Sequence, residues 1–98
     1  MISNKPWFIY LIKTAHGSLY TGITTDVEKR LKTHASGKGA KYLRGKGPLT
    51  LVAQQPLSGR SLATRAEHLL KQQPAQKKVM LLEDHELFQR FLAEHLAD

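Results

Sequence analysis

The run from Trp7 to Lys13, Trp-Phe-Ile-Tyr-Leu-Ile-Lys, constrains the fold more than any other stretch because it is apolar at nearly every position. A short run of aromatic and β-branched residues with no polar alternation reads as a strand covered on both faces, and so as the central strand of a small sheet. The next segment, Thr14-Ala15-His16-Gly17-Ser18, carries a glycine suited to a tight reversal, and Leu19-Tyr20-Thr21-Gly22-Ile23-Thr24 is again β-prone. The two runs are expected to pair as an antiparallel hairpin, which puts Tyr10 and Tyr20 on neighbouring strands.

Asp26 can accept hydrogen bonds from the free amides of a helix over Val27 to Ala35, and Gly37 is a natural stop after Ser36. On a helical wheel Val27, Leu31 and Ala35 form the inward stripe and Glu28, Lys29 and Lys32 face water. Arg30 and His34 project together from one flank beside the core. Leu49 to Gln54 reads as a third strand. A second helix is expected from Ser58 or Ser61 to Gln72, stopped before Pro74, with Leu62, Ala66, Leu69 and Leu70 inward and Glu67 at the edge. Val79 to Leu82 and Asp84 to Leu96 give further helix, the latter with Leu87, Phe88, Phe91, Leu92 and Leu96 as a broad apolar stripe.

With 98 residues and 41% hydrophobic content, the whole chain 1–98 is expected to form one domain around one core. So small a domain needs its large apolar side chains inside, so the terminal stripe reads as core in preference to a dimer or partner groove, and a monomer is expected. Fifteen Lys and Arg against eight Asp and Glu leave a formal charge of +7. That charge, with a pI near 9.9, favours a polyanionic partner. Nucleic acid fits better than membrane, because no apolar run is long enough to span a bilayer. The N-terminus lacks the pattern of a signal peptide, and a cytoplasmic location is expected. The absence of Cys removes disulfides and thiolate metal ligands.

Ser36 to Gly47 holds glycines at 37, 39, 45 and 47 and the basic residues Lys38, Lys41, Arg44 and Lys46, with Tyr42 among them. Glycines let backbone amides approach phosphates while the cations neutralise them; the plainer reading is a flexible solvated loop. It is not a P-loop: Gly45-Lys46 is followed by Gly47 where Ser or Thr is required, and Ala40 stands at the motif's first glycine. Arg30 and His34, four residues apart, suit holding a phosphate and moving a proton, or are surface decoration. Tyr10 and Tyr20 are half-buried sheet aromatics or catalysts. Glu67, at the flank of an apolar and basic helix, is a magnesium ligand facing a basic cleft, or the partner of a nearby Lys or Arg. His85-Glu86 begins like a zinc-protease helix, but Gln89 stands where the second His belongs.

Taken in order, Phe8-Ile9-Tyr10, Tyr20-Thr21-Gly22 and Asp26-x-x-Lys29-Arg30-x-x-x-His34 resemble the GIY-YIG nuclease family. Gly37-x-Gly39-Ala40-Lys41-Tyr42 through Pro48-Leu49, and Ala66-Glu67-x-x-Leu70-Lys71, extend the likeness over a motif-bearing core of about residues 7–78, leaving a C-terminal helix of about 84–97. Within the family the chain resembles the small stand-alone YhbQ-like bacterial branch. The resemblance implies an α+β fold: a small three-stranded antiparallel sheet flanked by helices, with an extra C-terminal helix. It also implies a metal-dependent endonuclease cutting DNA, or RNA, in repair or recombination.

By the same likeness, Glu67 would hold one Mg²⁺ or Mn²⁺, Arg30 would stabilise the scissile phosphate, and Tyr10 would help activate the attacking water. His34 and Tyr20 would orient groups or relay protons. Tyr42 would stack on a base or assist at the phosphate, Lys38, Lys41, Arg44 and Lys46 would bind nucleic acid, and Gly22 and Gly39 would be structural. One physical difficulty attends these roles: a tyrosine ordinarily titrates near 10, so service as a base near neutrality needs positive charge close by. Phe8 and Thr21 replace the first Gly and the Ile of the naming triplets, and Leu43 replaces a hydroxyl residue, a change expected to alter DNA contact near the loop. The asparagine that many members place near the scissile phosphate has no counterpart in the C-terminal third; the only Asn is Asn4. A non-catalytic nucleic-acid-binding module is the alternative, and an adaptor using the Leu87-Phe88-Phe91-Leu92 stripe is a third reading.

Overall fold

The computed structural model describes residues 5–96. Strand β1 (Trp7–Lys13) lies between β2 (Leu19–Thr24) and β3 (Thr50–Leu57), so the sheet order is β2-β1-β3, antiparallel throughout. This is the central position that unbroken apolarity requires. Ile9 and Leu11 face one side of the sheet and Tyr10 and Ile12 the other, all four with at most 2% exposure. Gly17 turns the hairpin with φ of 88°, a left-handed conformation that favours glycine. Strand β3 runs on to Leu57, past the expected end at Gln54. Pro56 is accommodated there because β3 is an edge strand and can lack one ladder donor.

Helix α1 (Val27–Ala35) has the expected ends: the Asp26 carboxylate accepts the Lys29 amide, and the Gly37 amide donates to the His34 carbonyl with Gly37 at φ of 83°. The inward stripe differs by one residue from the wheel, for Ala35 is exposed and His34 is buried. An imidazole is turned in because it has polar partners there, as described below. Helices α2 (Arg60–Lys71), α3 (Ala75–Glu83) and α4 (His85–Leu96) cover the face bearing Ile9 and Leu11. The first begins after Ser58 and just before Ser61, and α3 begins four residues ahead of Val79, directly after Pro74.

That face carries the larger core. Ala63, Ala66, Leu70, Leu81, Leu82, Phe88, Phe91 and Leu92 are buried on Ile9, Leu11 and Leu57, and Leu62, Leu69 and Leu87 pack partly buried against them. The C-terminal stripe is thus used largely internally, with Phe88, Phe91 and Leu92 buried. Gln55 of β3 ties in the α3–α4 junction: its Nε2 donates to the Leu82 carbonyl at 2.9 Å and its Oε1 accepts from His85 Nδ1 at 2.9 Å. His85 is therefore a packing hydrogen-bond donor. The opposite face holds a smaller cluster of Tyr10, Ile12, Val27 and Leu43, with Phe8, Tyr20 and Leu31 against it. Among the described residues no helix is long and apolar enough to cross a membrane.

Candidate active site

The centre of the small cluster is polar. Tyr10, 2% exposed, places its hydroxyl 2.9 Å from His34 Nε2, and His34, also 2% exposed, accepts the Ala40 amide at Nδ1 over 3.1 Å. Because Nδ1 offers its lone pair to a backbone N–H, the neutral ring carries its hydrogen on Nε2. His34 therefore donates to the Tyr10 oxygen, an arrangement that favours negative charge there. Burial lowers the His34 pKa below its usual 6.5, and the Arg30 guanidinium lowers it further, so the neutral ring is the form held.

Burial also dominates at Tyr10 and pushes its pKa up to about 12. Arg30 pulls it the other way, by hydrogen bonding and by charge, while Tyr20 and, least of the five influences, Glu67 push it upward. Arg30 is thus beside the phenol as its place on α1 requires. Glu67 belongs to α2, whose buried residues Ala63, Ala66 and Leu70 pack on the face of the sheet opposite Tyr10. Its half-buried carboxylate lies 3.5 Å from Lys71 Nζ, one turn along the same helix.

Two glycines make this close packing possible. A Cβ at Gly22 would lie 2.5 Å from Tyr10 Cζ, and one at Gly39 would lie 2.9 Å from His34 Cε1. Both distances are far inside van der Waals contact, so a side chain at either position would displace the ring it meets.

Residues 6–79 match the family model described as the GIY-YIG catalytic domain. The chain belongs to the GIY-YIG family. It is 56% identical over 88 residues to the UPF0213 protein YhbQ of Escherichia coli (strain K12), covering 90% of this chain and 88% of that one. The solution NMR structure of the UPF0213 protein BH0048 from Bacillus halodurans is 45% identical with a TM-score of 0.50, covering 80% of this chain and 83% of that one. That of EF2693 from E. faecalis is 33% identical with a TM-score of 0.54, covering 100% and 95%.

Beyond the pair at the centre, the GIY-YIG residues form a row of rings. Tyr20 lies 6.4 Å from Tyr10 and 5.5 Å, edge-on, from His34, and it stacks with Tyr42 at 6.1 Å and 20°. Lys46 Nζ sits 3.5 Å from the Tyr42 ring centroid. Lys38, Lys41 and Arg44 are exposed on the same loop. The loop has an ordered path: Lys41–Leu43 is a 3-10 turn, Leu43 is 2% exposed, and Ala40 is held by His34.

Two GIY-YIG departures have definite structural outcomes. Leu43 points into the core beside Tyr10 and Ile12, so it anchors the loop. Thr21 is 3% exposed opposite Leu11, and its Oγ1 has no hydrogen-bond partner. Asn4 lies outside the described residues. Sequence reasoning missed the Leu43 anchor and the Ala40 amide; the apolar residue between two cations was the available signal for the first, and a backbone donor leaves none.

Proposed function

We propose that this protein is a metal-dependent endonuclease hydrolysing phosphodiester bonds in DNA, with structural or weak sequence selectivity, in repair or recombination. The observation that carries this reading is the buried hydrogen bond between the Tyr10 hydroxyl and His34, with the Arg30 guanidinium beside it, inside a stretch that matches the GIY-YIG catalytic domain. The roles follow from the chemistry of each group. Arg30 binds the scissile phosphate and offsets the charge that grows on it. Tyr10, once deprotonated to the phenolate, takes a proton from the attacking water, and His34, donating from Nε2, stabilises the phenolate oxygen beforehand. Tyr20 packs beside both and fixes their orientation. Lys38, Lys41 and Arg44 hold the flanking phosphates, as their exposure and the net charge of +7 favour.

The donor set fits a lightly ligated Mg²⁺ or Mn²⁺. Among the described residues no three His, Cys, Asp or Glu cluster around a common point, and this reading gives the ion a single carboxylate ligand, Glu67. Magnesium is often held by one carboxylate, with water and substrate phosphate filling the other positions. The Glu67–Lys71 pair is partly exposed on one helix and so easily given up. A bound cation would supply the positive charge that a phenol held near pKa 12 needs for service near neutrality, and would offset charge on the leaving oxygen.

The test is nicking of supercoiled plasmid and branched DNA or RNA oligonucleotides by purified protein with Mg²⁺, Mn²⁺ or EDTA. Cleavage is expected with metal alone and should be lost in Glu67→Ala. Cleavage that persists in EDTA, or in Glu67→Ala at the wild-type rate, would sink the reading.

The upward push on the Tyr10 pKa and the single carboxylate favour a second reading, a nucleic-acid-binding module without turnover. It predicts salt-sensitive binding and no cleavage with any divalent metal.

A further inference from the structure

Tyr42 is an exposed aromatic ring that the structure holds in place. It is 46% exposed, yet its neighbour Leu43 is buried, and the turn is tied by the Leu43 amide to the Ala40 carbonyl at 3.0 Å and the Arg44 amide to the Lys41 carbonyl at 3.2 Å. Its ring stacks with Tyr20, which in turn packs against His34 and Tyr10, so a row of rings runs from the buried phenol to solvent. At the outer end the ring is covered by the Lys46 ammonium at 3.5 Å. The Lys46 backbone is held, its amide donating to the Leu43 carbonyl and its carbonyl accepting from the Ala15 amide. A lysine side chain over an exposed tyrosine, however, is a weak contact made by a flexible stem.

We infer that the Tyr42 ring is a stacking platform for an unpaired nucleobase, which displaces the Lys46 ammonium from the ring and frees it for an adjacent phosphate. The inference rests on the nucleic-acid reading above and names the class of substrate: a strand with an unpaired nucleotide beside the cleaved bond, as in an overhang, flap or bulge. Base stacking on an aromatic ring is stronger than an exposed cation–π contact, so the exchange runs toward the base. No charge is lost, since the displaced ammonium moves from one negative face to a phosphate. A base inside a duplex cannot make the same contact, because it is already stacked on both sides.

The test is fluorescence anisotropy in EDTA with the full chain and three labelled DNAs: a blunt duplex, the duplex with a short thymidine overhang, and that overhang made abasic. The wild type is expected to bind the thymidine overhang about tenfold more tightly than the other two. Tyr42→Phe, which keeps the ring, should retain that ratio, and Tyr42→Ala, checked for an unchanged circular dichroism spectrum, should bring it close to one. Equal binding of all three DNAs by the wild type, or a preference that survives Tyr42→Ala, overturns the platform and leaves the nuclease reading standing. Absence of binding to any of the three, together with no metal-dependent nicking, removes both.

Discussion

At the residue scale, Gly22 decides whether Tyr10 can occupy its pocket. A methyl group there would meet the phenol carbons with Cζ at 2.5 Å and Cε1 at 3.1 Å, and the ring is walled in by the core on its other side. Gly22→Ala is expected to cost about 1–3 kcal/mol of stability, as overpacking does. It should also abolish nicking under conditions where the variant is still folded; urea titration alongside the plasmid assay measures both. Thr21 sits on the neighbouring position of β2 and errs in the opposite sense. Its buried hydroxyl has no partner, so Thr21→Val should raise the urea midpoint by an amount equivalent to about 1 kcal/mol, and a drop would show that the hydroxyl is satisfied. The two titrating groups bracket a plateau of stability. His34 has a lowered pKa in the folded protein, so below about pH 6.5 the unfolded chain takes up the proton first and stability falls as pH drops. Tyr10 is raised to about 12, so from pH 10 upward the unfolded chain loses its proton first and stability falls as pH rises. The alkaline loss amounts to about 2–3 kcal/mol by pH 12, and it should be absent in Tyr10→Phe when unfolding free energy is followed against pH.

At the scale of elements, the loop from Ser36 to Gly47 is where charge and order meet. Lys41 and Arg44 are exposed while Leu43 between them is buried, so the turn aims two cations outward from a fixed anchor. Replacing both with Ala should lower affinity for DNA of any sequence and reduce the slope of log affinity against log salt by about 2. An unchanged slope, measured by anisotropy over a salt series, would remove the loop from the interface. The same loop shows what a sequence does and does not disclose. The central strand, the hairpin and both ends of α1 were legible because apolar runs, a turn glycine and the capping Asp26 act locally. So were the placement of Tyr10 and Tyr20 on neighbouring strands and of Arg30 and His34 four residues apart on α1, which follow from strand pairing and helical spacing. The depth of His34 was not, because it is set by the Ala40 amide, a partner that any residue would supply. Nor was the seat of Lys46 on Tyr42, which depends on an aperiodic turn. The early start of α3 was missed because its first turn, Ala75 to Lys78, shows no apolar periodicity.

At the scale of the whole molecule, the larger core supports the smaller one that carries the candidate site. Phe88 is fully buried on α4, well away from the phenol, among residues from β1, α2 and α3. Phe88→Ala should cost about 3–5 kcal/mol, a large part of what a domain of this size possesses. Thermal melting would register it, and a loss well under 1 kcal/mol would mean that α4 is peripheral to the fold. The candidate groups also come from two helices: imidazole and guanidinium from α1, the carboxylate from α2. A molecule gripped by all three works like a rivet through two plates. Amide hydrogen exchange should slow in α1 and α2 together when such a molecule binds, whereas one resting on the loop cations alone would quieten only a single plate.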